Sequence, residues 1–268
     1  MMRVVRSGEL TQLWLSSWRS RLIGYGVHVF MWRGVLIDTG FPAVGAEVGR
    51  AVGDLRPRGA IVSHGHEDHA GNLDVVTRAG IPVWRPPGFQ DVVRETESMG
   101  LYRRLTWGRP RTIDVTVEPF DPAPLQPLHA PGHSIDHHIV WDPERGVLFS
   151  ADLFLGVKVR VARPDEDPRA LLASLRQAAA LRPRAMWDAH RGAIDDPAAA
   201  LVAKADWLED LIARVDRRSE AGEPDERIAR EELGRPGAVD AASFGDLSRV
   251  NLVRAIRRSA TPAPGAAR

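Results

Sequence analysis

Apolar positions along this chain recur with two different periods, and the switches between them mark out the elements. Residues 27–38 alternate loosely between apolar and polar with Gly34 at a turn, which predicts a β-hairpin closing on Asp38-Thr39-Gly40. Residues 60–63 read as a short buried strand that delivers a histidine cluster onto the loop beyond it. Leu73, Val76 and Ala79 then carry helical spacing, stopped by Gly80, and residues 81–84 make a short strand. Residues 85–118 break that rhythm. Pro86, Pro87, Gly88, Gly100, Gly108 and Pro110 punctuate them, and Met99, Leu101, Tyr102, Leu105 and Trp107 stand among arginines. A partly helical insertion is expected there, able to cover a site as a lid and apolar enough to suit a homodimer contact.

From residue 115 the strand period returns, at 115–119, 125–129, 138–141 and 147–150, with a turn at Asp142-Pro143-Glu144-Arg145-Gly146. Such close spacing predicts antiparallel pairing. Asp167-Pro168 is an N-cap followed by a first-turn proline, and Leu171, Leu172 and Leu175 form an apolar stripe that Arg182-Pro183 ends. A strand at 185–188 leads into His190. Residues 197–218 carry Leu201, Ala205, Leu208, Ile212 and Val215 at spacings of three and four, a second amphipathic helix. Beyond it come a polar stretch and a short helix near 246–258, with a disordered tail expected at 261–268. Residues 1–200 therefore read as one main domain and 201–260 as a helical extension.

Composition narrows the chemistry. With 268 residues, 44% apolar, 26% charged and a net charge of +1, the chain resembles an ordinary globular protein with no global attraction to nucleic acid or membrane. No apolar run approaches the length of a membrane span, and residues 1–20 lack the apolar core of a signal peptide, so a cytoplasmic protein without a membrane partner is expected. Cysteine is absent, so any metal would be held by imidazole and carboxylate. That turns attention to the nine histidines.

The densest segment is His64-Gly65-His66-Glu67-Asp68-His69, followed downstream by Ala130-Pro131-Gly132-His133, Ser150-Ala151-Asp152 and Asp188-Ala189-His190. In an extended loop His64 and His66 project to one side while Asp68 and His69 follow on a turn, so one segment can feed two neighbouring sites. A bridging carboxylate lets two cations sit close together without prohibitive repulsion. Other histidines read differently: His28, His129 and His138 lie in strands and are expected to be packed or hydrogen-bonded core residues. Trp14, Trp18, Trp32, Trp84 and Trp107 are either core or pocket lining. Arg249, Arg254, Arg257 and Arg258 are expected on a solvated helix face, because residues 201–268 balance twelve basic against twelve acidic groups.

The spacing His-x-His-x-Asp-His, then His133, Asp152 and His190, resembles the metallo-β-lactamase superfamily over roughly residues 20–195. The resemblance implies an α/β fold, a four-layer αβ/βα sandwich with the metals at one edge. It implies a first site of His64, His66 and His133, a second of Asp68, His69 and His190, and Asp152 as the bridge. Two divalent ions, zinc foremost with iron or manganese as alternatives, would activate a bridging hydroxide. Asp68 would orient it and carry a proton to the leaving group; Asp38 and Ser63 would fix imidazole tautomers, and His137 and Arg191 would stand beside the ligands or the substrate. The layout around residues 128–137 and 149–156 is similar to the branch containing an animal endoribonuclease, whereas the glutathione-binding motif of hydroxyacylglutathione hydrolases is not recognisable. Two departures stand out: Ala151 and Ala189-His190-Arg191 replace the usual glycines. The expected activity is hydrolysis of a small-molecule ester, thioester or lactone. A nuclease or phosphodiesterase and a mononuclear iron oxygenase acting on persulfides are the alternatives.

Overall fold

The computed structural model describes residues 1–22, 24–97, 101–109, 117–237, 240–241 and 243–260. Six strands form a first sheet in sequence order: β1 (Met2–Ser7), β2 (Leu10–Leu15), β3 (Val27–Trp32), β4 (Val35–Ile37), β5 (Gly59–Ile61) and β6 (Val83–Trp84). The first four pair antiparallel; β4, β5 and β6 run parallel. Parallel pairing requires crossovers, supplied by α2 (Gly45–Leu55), the short α3 (Glu67–Ala70) and α4 (Leu73–Arg78), all following α1 (Trp18–Leu22) in the chain. The second sheet has the order β11-β10-β9-β8-β7 from β7 (Gln126–His129), β8 (His138–Asp142), β9 (Val147–Ala151), β10 (Ala185–Asp188) and β11 (Gly192–Ile194). β7, β8 and β9 pair antiparallel, as their close spacing predicts, and β9 and β10 pair parallel across α7 (Pro168–Ala180).

Strand alternation builds the layers. In β3, Phe30 and Trp32 face inward with Ile37 and Ile61 against Val140, Val147 and Phe149 of the other sheet. Val27 and Val29, one residue out of phase, pack with Val48, Val52, Leu73 and Val76 of the outer helices. The second sheet's outer face buries Ile139, Leu148 and Met186 against Leu175 of α7 and against α8 (Pro197–Glu220), α9 (Asp225–Leu233) and α10 (Arg249–Ser259). Three apolar seams thus separate four layers, helix, sheet, sheet and helix. Helices α8 to α10 share one continuous core with the second sheet.

Several elements depart from the sequence reading. The N-terminal hairpin β1–β2 was hidden because β1 is an exposed edge strand with almost no alternation; it forms because Leu10, Leu13 and Leu15 of its partner are buried. α2 was hidden by Gly45, Gly49 and Gly53, and exists through burial of Val48, Ala51 and Val52. Within 85–118, α5 (Phe89–Glu97) and α6 (Leu101–Trp107) supply the expected helices. The strand expected at 115–119 falls partly outside the described residues, and 117–119 are not strand. The tail 261–268 lies outside the described residues.

Candidate metal centre

Every candidate ligand sits just past the end of a strand, on a loop or on the short α3, at the same edge of the sandwich. β5 ends at Ile61 and releases His64 and His66; α3 carries Asp68 and His69; β9 is followed by Asp152 and β10 by His190. His133 lies on the β7–β8 loop after Gly132, whose φ of 129° favours glycine and where a Cβ would lie 2.3 Å from the backbone nitrogen of Leu171. The Pro-Gly-His turn is therefore pressed directly against the start of α7.

Asp38-Thr39-Gly40 fixes this edge without contributing to the cluster. Thr39 donates to the carbonyl of His69 through its backbone N–H at 2.7 Å and its hydroxyl at 2.8 Å, and Asn72 donates to Thr39 O and Phe41 O. The Asp38 carboxylate accepts from Ser63 N at 2.7 Å and Ser63 Oγ at 3.0 Å, and lies 2.8 Å from His69 Nδ1. Ser63 Oγ is also 3.0 Å from His64 Nδ1. Asp38 and Ser63 thus orient two imidazoles from behind, and both are buried.

In front, three nitrogens converge: His66 Nδ1 is 2.9 Å from His64 Nε2 and 3.0 Å from His133 Nε2. Asp68, His69 and His190 make a second group, with Asp68 Oδ2 at 3.4 Å from His190 Nε2 and Asp68 Oδ1 at 4.0 Å from His69 Nε2. Asp152 spans the two. Its Oδ2 is 3.2 Å from His133 Nε2, and its Oδ1 is 3.3 Å from both His69 Nε2 and His190 Nε2. Asp68 Oδ1, His69 Nε2 and Asp152 Oδ1 are buried without a hydrogen-bond partner. Orphaned buried polar atoms are costly, and this set, hard oxygen plus imidazole aimed at one space, fits divalent cations.

Electrostatics divides the cluster. Burial, reinforced by surrounding positive groups, holds His64 and His66 well below the ordinary imidazole value, leaving neutral donors ready to ligate. Burial also works against protons on His69 and His190, but Asp152 and the neighbouring carboxylates outweigh it and hold both well above. The same attraction overcomes burial at Asp68 and Asp152 and keeps both ionised. His190 Nδ1 donates to Gly26 O at 2.9 Å, so Nε2 faces the cluster. His137, pushed down to about 3 by burial and then by His133, donates from Nδ1 to Ala130 O and accepts Asp152 N at Nε2. It is a neutral strut behind Asp152.

Residues 33–186, more than half of the chain, match the Metallo-beta-lactamase superfamily. This chain belongs to that superfamily. Its members are generally hydrolases, and the histidine and aspartate clusters fit a metal-dependent one. A Beta-lactamase-like protein 2 homolog from Caenorhabditis elegans is 26% identical over 166 residues, 60% of this chain and 53% of that protein. The chain thus spans about half the length of the curated relative it matches. Among solved structures, a metallo-β-lactamase family protein from Thermus thermophilus is 19% identical with a TM-score of 0.62, covering 95% of each chain. A metallo-β-lactamase from Pontibacter korlensis, also 19% identical, has a TM-score of 0.59 over 78% of this chain and 99% of its own. At these identities the structures attest the fold. Ala151 sits at φ 44°, a left-handed conformation held by a non-glycine residue. Arg191 donates from Nε to Leu155 O and pairs with no acid among the described residues.

The cluster opens into a cavity of about 560 Å³ walled by Tyr25, Tyr102, Trp107, Leu155, Val159 and Leu247, with a basic flank. Of the tryptophans, Trp107 reaches this cavity, Trp32 is core, and Trp18 is largely exposed. His28 and His138 are buried and hydrogen-bonded, as expected; His129 is exposed, because Gln126–His129 is the sheet's outer strand, and it keeps only a bond to Ile135 O. Three features escaped the sequence reading. Glu67, inside the ligand motif, is buried and clasped by Arg103 of α6 through Nε at 2.7 Å and a second, shorter contact from Nη2, which ties the 85–118 segment to the metal loop. Asp188 accepts the backbone N–H groups of His190, Arg191 and Leu155. Arg163 reaches the ring of His66 from nearly a hundred residues away, and no local pattern could announce it. An acidic residue between two ligands was the one available signal for Glu67. No helix among the described residues is long and apolar enough to cross a membrane.

Proposed function

We propose that this chain is a dinuclear hydrolase of a small ester, thioester or lactone, with zinc the foremost metal. His64, His66 and His133 would hold one ion, Asp68, His69 and His190 the other, and Asp152 would bridge. Two such ions supply an activated water and polarise the substrate's carbonyl oxygen. The observation that carries the reading is the division of Asp152, one oxygen toward each histidine group, together with the orphaned atoms facing the space between them. A single ion held by His64, His66 and His133 would not need Asp68 and His190 as ligands.

The chain's own residues do the rest. Asp68 is ionised, with Oδ2 near His190 and Oδ1 free of hydrogen bonds, so Oδ1 is placed to take a proton from the attacking water and return it to the leaving group. Asp38 and the Gly26 carbonyl fix the Nδ1 sides of His69 and His190, keeping Nε2 forward. Trp107, Tyr25 and Leu247 line the cavity with apolar surface, and its volume is that of a small-molecule site. Three of the four C-terminal arginines are taken up by acids, Arg249 by Asp240, Arg254 by Asp225 and Glu226, and Arg257 by Asp225, while Arg258 donates to Glu166 O, which leaves little of a track for a nucleic-acid backbone there. That favours the small-ester reading over a phosphodiesterase.

The test is elemental analysis of protein purified without added metal, with turnover of p-nitrophenyl acetate, a thioester and bis-p-nitrophenyl phosphate. About two ions per chain with ester or thioester turnover, lost in His66→Ala, is expected. Phosphodiester turnover alone would favour the nuclease alternative, and one tightly held iron without hydrolysis would sink both hydrolase readings and bring the oxygenase forward.

A further inference from the structure

The apolar stripe of α8 contains a charge. Lys204 lies at helical spacing between Leu201 and Leu208, which belong to the outer core, and is itself only 2% exposed. Its Nζ donates to two backbone carbonyls, Leu153 O at 2.8 Å and, more closely, Phe154 O, and stands 6.0 Å from the Phe154 ring. Burial lowers its pKa to about 8 against the attraction of Asp188, then Glu166 and Asp152, so the group is still an ammonium at pH 7. A cation taken this far out of water is costly, and its hydrogen bonds go to the two residues that follow Asp152.

That turn is strained. Ala151 and Leu155, one on each side of it, are non-glycine residues at φ 44° and 51°, where a Cβ crowds the backbone. Such conformations persist where the surroundings fix them, and here two buried side chains do so. Lys204 holds the carbonyls of Leu153 and Phe154, while Asp188 Oδ2 accepts the N–H of Leu155 at 2.8 Å. Through Oδ1, Asp188 also accepts the N–H groups of His190 and Arg191, each at 2.9 Å. The turn that carries Asp152 and the turn that carries His190 are thus tied to each other by one carboxyl group and to α8 by one ammonium. Without the ammonium, the carbonyls of Leu153 and Phe154 would face the apolar core of Leu201 and Leu208. Relaxing the turn toward ordinary φ values would relieve both problems, and it would swing Asp152 out of place.

We propose that Lys204 is a positioning residue of the metal centre: by pinning residues 153 and 154 it sets where the two Asp152 oxygens point, and with them the affinity and geometry of the ions. This rests on the reading of Asp152 as the residue shared between two ions. Lys204 makes no hydrogen bond to any ligand among the described residues. It also lies beyond residues 33–186, the stretch that matches the superfamily, so α8 becomes a working part of the centre and not only a covering layer.

Cobalt(II) binding tests this without reference to turnover. Metal-free full-length wild type and Lys204→Met are titrated with cobalt(II) against a competing chelator while the visible d–d bands are followed; circular dichroism and urea unfolding of the metal-free proteins report the fold. Methionine keeps most of the length and the apolar stem of lysine but donates nothing. At least one cobalt should bind about tenfold more weakly in Lys204→Met, with shifted bands, while the metal-free urea midpoint stays close to wild type, because an apolar side chain suits a buried slot. A variant that only unfolds more easily, with wild-type cobalt affinity and bands, overturns the proposal, since Lys204 would then merely fill the core. Should Lys204→Met fail to fold, Lys204→Gln decides: its neutral amide on a shorter stem cannot serve both carbonyls, so at least about threefold weaker cobalt binding supports the role and unchanged binding overturns it. A wild type that takes up a single cobalt, held about tenfold more weakly by Lys204→Met, would sink the two-ion reading and leave the positioning role standing. Two ions held equally well by both proteins would do the reverse.

Discussion

Asp38→Asn isolates what lies behind the cluster. The carboxylate accepts three donors, Ser63 N, Ser63 Oγ and His69 Nδ1, at 2.7, 3.0 and 2.8 Å. An amide keeps one oxygen, so at least one buried donor must face an NH₂ group. Losing a hydrogen bond to a charged acceptor there costs about 1.5–3 kcal/mol. Asp38 sits at φ 64°, which asparagine adopts readily and alanine does not, so the exchange alters chemistry without straining the backbone. Partners behind a ligating histidine are worth about 10–100-fold in metal affinity, or roughly 1.4–2.7 kcal/mol, in line with the hydrogen-bond figure. Stepwise zinc titration against a competing chelator should show that loss at the Asp68/His69/His190 group. The His64/His66/His133 group feels Asp38 only through Ser63 Oγ and should change by less than about threefold. Unchanged affinity at both groups, or a loss confined to the His64 side, would refute the reasoning.

Gly132→Ala should destabilise the protein by about 2–4 kcal/mol, since it adds left-handed strain to a clash with the backbone of Leu171; a melting temperature within a degree of wild type would contradict this. Arg103→Met leaves the buried Glu67 carboxylate unmatched and should cost about 3 kcal/mol in urea unfolding, much of it regained in Glu67→Gln/Arg103→Met, and additive losses would argue against direct coupling. Chelator-treated protein should lose stability as pH falls from 7 to 5. His64, His66 and His137 have folded values below the ~6.5 of the unfolded chain, so unfolding takes up protons there, at up to ~1.4 kcal/mol per group per pH unit. His69 and His190 are raised; their contribution is fully present below ~6.5 and is lost only as pH climbs through their folded values, so they do not reverse the trend. A melting temperature flat or rising toward pH 5 would refute the assignment of neutral imidazoles.

The sequence by itself determined the elements whose signals are local and the identity of the seven residues gathered at one edge. Strand alternation in 27–38, the Asp167-Pro168 helix start and the leucine stripes depend on neighbours a few residues apart, and the structure keeps them. His64, His66, Asp68, His69, His133, Asp152 and His190 were legible because imidazoles and carboxylates cluster at close spacing in His-x-His-x-Asp-His and recur singly downstream, and no competing cysteine confused the set. Tertiary structure alone decided the rest. Met2–Ser7 and Gly45–Leu55 have poor local patterns and exist because partners far away in sequence bury one face of each hairpin or helix. The Glu67–Arg103 clasp, the Asp38 support and the contact of Arg163 with His66 join residues between 25 and 97 positions apart. Such contacts depend on how two sheets stack, and a charge reveals whether it is paired only when the surrounding chain has closed around it.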